Sequence, residues 1–278
     1  MADPEQLTVE GAGGVRLSLE QAGSGTPIVL LHGLTATRRY LLMGSRALER
    51  SGHRVIAYDA RGHGHSGPPA APEAYTYELL AKDLQAVLDQ LGIERAVLAG
   101  ASMGAQTALR FALEHPNRIS ALGLITPAFD PDTHGEDSYA SWDRLAQGLR
   151  TGGVEGFVDA YDLDALPEGF RETVAKVLRQ RLSSHDHPLA VADALQAVPR
   201  SRPFERWDEL RSVGAPTVVI ASRDDADPTH PLAVGERYAA AIPDAKLAVE
   251  EPGSSPIAWQ GGQLSRVLAE LASSAPGH

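Results

Sequence analysis

An apolar run, Val97-Leu98-Ala99, enters Gly100-Ala101-Ser102-Met103-Gly104 and leaves it directly as a helical pattern from Ala105 to Glu114. No residue is left over for a loop, so extended chain must turn into helix at the serine itself. That turn puts a non-glycine residue in strained backbone and needs glycine on both sides, where a Cβ would meet the neighbouring strand or helix. It therefore predicts a strand, a sharp turn and a helix crossing back over a sheet, with the Ser102 hydroxyl exposed at the strand end. The N–H of Met103 would face any negative charge that develops beside that hydroxyl. With 27 glycines in 278 residues, Gly-x-Ser-x-Gly arises readily by chance, and its context is what gives it weight.

The context is an alternation of apolar runs and helical patterns. Residues 6–10 and 15–20 read as a hairpin over Gly11-Ala12-Gly13-Gly14, and Pro27–Leu31 as a buried strand ending in His32-Gly33. From Leu34-Thr35-Ala36-Thr37 a helical pattern is expected through Arg50, with Leu34 at the strand end offering a second N–H to the same charge as Met103. Strands follow at 53–58, 95–99 and 119–125, with a helix from Tyr75 to Leu91 closed by Gly92. The alternation stops at Thr126-Pro127 and resumes with strands at 216–221 and 245–250, a helix running to Ile242 between them, and a closing helix from Gln260 to Leu271. In between lie only amphipathic stretches, at 139–150, 154–161, 169–182, 189–198 and 204–213.

This pattern predicts an α/β fold: a mostly parallel eight-stranded sheet with helices on both faces and a helical lid insertion. The expected partition is a core of residues 1–127 and 215–278 and a helical cap of residues 128–214 over the carboxyl ends of the strands, where such sheets place ligands.

Composition narrows the partners. A formal charge of −11 without a basic cluster argues against nucleic acid and anionic membranes. The absence of cysteine removes disulfides, thiolate metal sites and a cysteine nucleophile. The first residues, Met1-Ala-Asp-Pro-Glu-Gln, have neither a basic start nor an apolar stretch, so a cytoplasmic location is expected.

Two further patterns are decoys. Gly62-His-Gly64-His-Ser-Gly67 matches a dinucleotide fingerprint, but Pro68-Pro69 follows where a helix would have to open on a pyrophosphate, so no cofactor is expected. The pairs His63/His65 and His185/His187 have a metal-like composition, yet such pairs on loops are commonly solvated, and no metal is expected.

Leu31-His32-Gly33, Tyr58-Asp59-x-Arg61-Gly62-His63-Gly64-x-Ser66, Gly100-x-Ser102-x-Gly104 and Asp227-Pro-x-x-Pro231 follow one another in the order found in the α/β-hydrolase fold superfamily, of the esterase, lipase and haloperoxidase-like type, which this chain resembles. The resemblance implies a carboxylic ester hydrolase acting on a small molecule with an acyl group, with Ser102 as nucleophile and Leu34 and Met103 forming an oxyanion hole. It also implies a carboxylate in the loop after the strand at 216–221. Counting forward from the strand gives Asp225, counting back from Pro228 and Pro231 gives Asp227, the preferred choice, and Asp224 is a third candidate.

The chain departs from the family at the histidine. After the last strand it reads Glu251-Pro-Gly253-Ser-Ser255-Pro256-Ile-Ala-Trp-Gln, with no base. Of the ten histidines, His230 in the acidic loop is the best placed substitute; a helix-capping role is the alternative, and His32 belongs to a turn. Two functions stay open at this point: a serine hydrolase for an ester, thioester or lactone, and a fold relative that binds a small molecule or performs non-hydrolytic chemistry.

Overall fold

The computed structural model describes residues 3–136, 139–223, 229–251, 259 and 261–275. Its strands are β1 (Glu5–Glu10), β2 (Arg16–Ala22), β3 (Thr26–Leu31), β4 (His53–Tyr58), β5 (Ala96–Ala101), β6 (Ile119–Ile125), β7 (Thr217–Ala221) and β8 (Lys246–Val249). They form one sheet in the order β1-β2-β4-β3-β5-β6-β7-β8, antiparallel at β1/β2 and β2/β4 and parallel from β4 to β8. The chain moves outward from β3 to β4 and returns to β5 on the other side of β3. The loops after β3 and β5 therefore diverge, and a crevice opens at their carboxyl ends.

The helices are α1 (Ala47–Arg50), α2 (Tyr77–Gln90), α3 (Met103–Glu114), α4 (Tyr139–Ala160), α5 (Glu168–Leu182), α6 (Pro188–Ala197), α7 (Leu232–Ala241) and α8 (Gly261–Ser273). Strand alternation divides the core between the two faces. Val29, Leu98, Leu122 and Val219 pack with Leu84 and Leu88 of α2, Leu109 and Phe111 of α3 and Tyr238 of α7. Ile28, Val97, Ala121 and Ile220 pack with Leu48 of α1 and Leu264 and Leu268 of α8. Each fully buried side chain of this kind contributes about 1.5–3 kcal/mol. No helix among the described residues is long and apolar enough to cross a membrane.

The structure departs from the pattern in three places. The helix expected up to Arg50 is reduced to a single-turn 3₁₀ segment at Arg38–Tyr40 and the short α1, because Met43 (φ 49°) and Gly44 (φ 78°) are left-handed. The stretches at 139–150 and 154–161 join as α4, which reverses at Gly153 (φ 60°, ψ −144°). Its two arms touch through glycine, since a Cβ on Gly148 would lie 2.3 Å from the Gly156 carbonyl oxygen. At 204–213 only a 3₁₀ segment forms, Trp207–Ser212, and the Phe204 and Trp207 rings pack edge-on to Tyr238 at 5.9 and 5.0 Å.

Between β6 and β7 the helices build a core of their own from residues such as Leu145, Leu149, Phe157, Leu178, Val191 and Leu195. Leu34, from the loop after β3, packs against it. Phe157 thus lies inside this helical cluster, while Tyr139 pairs with His134 through its hydroxyl at 3.0 Å and lies under the Arg200 guanidinium.

Candidate active site

Ser102 takes φ 51° and ψ −112° between β5 and α3. Both glycines of the motif are needed there: a Cβ on Gly100 would lie 2.2 Å from the carbonyl group of Gly104, and one on Gly104 would lie 2.1 Å from the Leu31 carbonyl oxygen. The adjacent strand ends hold the turn in place. Ser102 N–H donates to the Ile125 carbonyl at 3.0 Å, and Thr126 N–H donates to that of Ile220 at 2.7 Å. Thr126 (φ 41°) and Thr35 (φ 66°) are left-handed as well, so the adjacent strands β3, β5 and β6 are all followed by strained non-glycine residues. Backbone of this kind costs about 1–3 kcal/mol per residue and persists where the surroundings over-determine it.

His230, between β7 and α7 and so two strands away from β5, reaches this turn: its Nε2 lies 2.8 Å from Ser102 Oγ. Its Nδ1 lies 3.1 Å from Thr229 Oγ1. The next residue, Pro231, is the N-cap of α7 and makes no side-chain cap bond. With Nε2 as acceptor, the pair can pass a proton from the hydroxyl to the imidazole as the oxygen attacks an electrophile.

Several contacts fix α7, and with it His230, relative to α3. Tyr238 O–H donates to the Phe129 carbonyl at 2.8 Å and also lies 3.0 Å from the Gln106 side-chain amide. Arg237 pairs with Asp130 and Asp132 on the loop after β6. At the start of the loop before His230, the Glu250 carboxylate accepts from Ser222 Oγ at 3.0 Å and from Arg223 N–H. Asp224, Asp225 and Asp227 lie outside the described residues, as do residues 252–258. Trp259 Nε1–H donates to the Ala221 carbonyl at 2.9 Å.

Gly33 lies against the serine, since a Cβ there would sit 3.4 Å from Ser102 Cβ. Leu34 follows Gly33 directly in the chain. Met103 stands in the first turn of α3, where an amide has no intrahelical acceptor.

Three histidines follow one another in contact, His32 to His63 at 5.3 Å with tilted rings and His63 to His185 at 5.6 Å edge-on, between ring centroids. His32 Nε2 accepts from Ala60 N–H at 2.9 Å, so its Nδ1–H donates to the Gly33 carbonyl at 2.8 Å. His63 Nδ1–H donates to the Arg61 carbonyl at 2.9 Å. His185, between α5 and α6, accepts from Gly64 N–H on Nδ1 at 2.8 Å, and its Nε2–H donates to the Thr35 carbonyl at 3.0 Å. The metal-like pairs are thus split: His63 and His185 are buried in hydrogen bonds to backbone, whereas His65 makes an exposed contact with Asp186 at 3.0 Å. No group of three or more metal-ligating side chains occurs among the described residues. The glycine-rich segment closes on itself through Gly62 N–H to the Gly67 carbonyl at 2.9 Å, and no helix opens on it.

Burial holds all three imidazoles neutral. It lowers His32, drives His63 well below the ordinary value and pushes His185 down to about 4. Between pH 6.5 and 4 the unfolded chain therefore binds more protons than the native one, and stability falls as pH falls. His185 alone accounts for about 3 kcal/mol over that window, fully recovered above pH 6.5. Calorimetry is expected to give a Tm that declines steeply from pH 6.5 to 4.5 and is flat from pH 7 to 8; a flat profile down to pH 4.5 would contradict the neutral cluster.

Comparison with known proteins agrees with this architecture. A profile of the alpha/beta hydrolase fold matches residues 26–261. A 2-hydroxy-6-oxononadienedioate/2-hydroxy-6-oxononatrienedioate hydrolase of Paraburkholderia phymatum is 32% identical over 251 residues, 87% of this chain and 85% of that protein. An epoxide hydrolase 3 of Siraitia grosvenorii is 37% identical over 131 residues, which span only 46% of this chain and 40% of that protein. Among solved structures, a thermophilic esterase of Thermogutta terrifontis superposes with a TM-score of 0.76 at 27% identity, covering 97% of each chain.

Proposed function

We propose that this chain, which belongs to the alpha/beta hydrolase fold family, is a serine hydrolase that cleaves a carboxylic ester, thioester or lactone through an acyl-enzyme on Ser102. The observation that carries the reading is the 2.8 Å approach of His230 Nε2 to Ser102 Oγ. Ser102 Oγ attacks the carbonyl carbon while His230 takes its proton. The carbonyl oxygen, now negative, is held by the N–H groups of Leu34 and Met103. His230 then protonates the leaving alcohol or thiol as the tetrahedral centre collapses to the acyl-enzyme. A water, deprotonated by the same imidazole, releases the acid and restores the serine.

Asp225 or Asp227, on the loop that leads to His230, is proposed to orient the ring and stabilise its charged form. Residues 128–214 serve as the cap, and its aromatic residues Tyr139, Trp142 and Phe170 suit an apolar acyl or alcohol group. An esterase among the structural relatives supports hydrolysis of this class.

A fluorophosphonate probe tests the nucleophile. Intact-mass analysis is expected to show one adduct on the folded protein and none on Ser102→Ala; a wild-type protein that stays unlabelled would sink the reading.

A further inference from the structure

We infer that His185 is a positioning residue for the oxyanion hole, holding the Leu34 N–H toward the substrate carbonyl from the helical segment between β6 and β7. The inference rests on the serine hydrolase reading of the same site. Leu34 lies between Gly33, which abuts Ser102, and Thr35, whose left-handed backbone (φ 66°) is unfavourable for a branched residue and needs an external hold. Two contacts supply it. Ala36 N–H closes a turn on the Gly33 carbonyl at 3.1 Å, and the His185 Nε2–H fastens the Thr35 carbonyl at 3.0 Å.

The imidazole is itself locked. Its Nδ1 accepts from Gly64 N–H, and the next residue, Asp186, donates its own N–H to the Gly64 carbonyl at 2.9 Å. Gly64 belongs to the turn pinned by Asp59, whose carboxylate accepts from His65 N–H at 3.0 Å and from Arg38 N–H at 2.8 Å. Arg38 follows the same loop, so the hold forms a closed circuit: loop after β3, turn after β4, His185, and back to Thr35. His185 is buried and touches no reacting atom, so it acts on the reaction only through the Leu34 amide.

Two near-isosteric variants separate positioning from simple anchoring. His185→Gln keeps an N–H that reaches Thr35. His185→Asn keeps only an acceptor near Gly64. With p-nitrophenyl acetate as substrate, kcat of the asparagine variant is expected to fall about tenfold to a hundredfold, as for a partly misplaced oxyanion donor. The glutamine variant should recover most of that loss, with KM within about twofold of wild type in both. Amide exchange across residues 33–37 should quicken in the asparagine variant alone, which also decides the matter for a variant too weakly active to assay. Equal kcat in the two variants, or exchange in that segment unchanged from wild type, would overturn the inference while leaving the hydrolase reading intact. A wild-type protein that neither turns over the ester nor takes up a fluorophosphonate would instead remove the hydrolase reading on which it rests.

Discussion

Replacing His230 with alanine is expected to lower kcat for an activated ester by about 10²–10⁴-fold, with KM little changed. The serine stays in its turn, because that conformation is set by Gly100, Gly104 and the Ile125 carbonyl and not by the imidazole. What is lost is the acceptor 2.8 Å from Oγ, without which a hydroxyl is a poor nucleophile at neutral pH. Residual turnover should persist above the buffer rate through the two amides. Steady-state kinetics of the variant against wild type decide the point: unchanged turnover would take His230 out of the mechanism. The same variant separates hydrolysis from a binding role, since a pocket that only binds would show no esterase rate for the substitution to reduce.

Gly104→Ala should be nearly as damaging for a different reason. The added methyl would stand 2.1 Å from the Leu31 carbonyl oxygen and 2.5 Å from its carbon, both backbone atoms at the end of β3, an interior strand of the sheet. Neither can move aside, so α3 must shift away from β3 and take Ser102 with it. The expected loss is at least about 3 kcal/mol, the upper range for overpacking, which lowers Tm by roughly 6–12 °C in a chain of this size. Labelling of Ser102 by a fluorophosphonate should slow in step. Thermal unfolding and labelling rates measured together test this, and wild-type values for both would show that the close approach is not needed.

These two substitutions mark how far the sequence could be read. Gly-x-Ser-x-Gly between an apolar run and a helical pattern has one geometric solution, so the turn and its sheet were legible locally. That His230 would stand near Ser102 could be anticipated by elimination, through the lack of a histidine after the last strand and its own place in the acidic loop, while its role as base is the proposal made above. The segment from Leu34 to Arg50 was not, because its apolar spacing suits a helix while Thr35, Met43 and Gly44 adopt left-handed backbone, a tertiary demand that periodicity does not encode. The same holds for 204–213, where aromatic packing on Tyr238 outweighs helical spacing. The hold of His185 on Thr35 joins residues 150 apart in the chain, and no spacing rule connects them. The only hint was a histidine beside the start of a helix.

The three strained residues at the ends of β3, β5 and β6 set terms for thermal adaptation of this protein. Glycine at Thr35, Ser102 or Thr126 would relax the backbone, yet each residue holds its conformation where it shapes the loop after β3, bears the proposed nucleophile or braces its neighbour. Stability gained along this rim is drawn from activity. The opposite rim lies at the other ends of the strands, away from Ser102. There an open surface cleft of about 250 Å³ lies between Ala112, Ser120 and Val213, at the amino ends of the strands. Larger side chains in that space would add buried contacts far from Ser102, so selection for heat resistance can act on one edge of the sheet while the other keeps its strain.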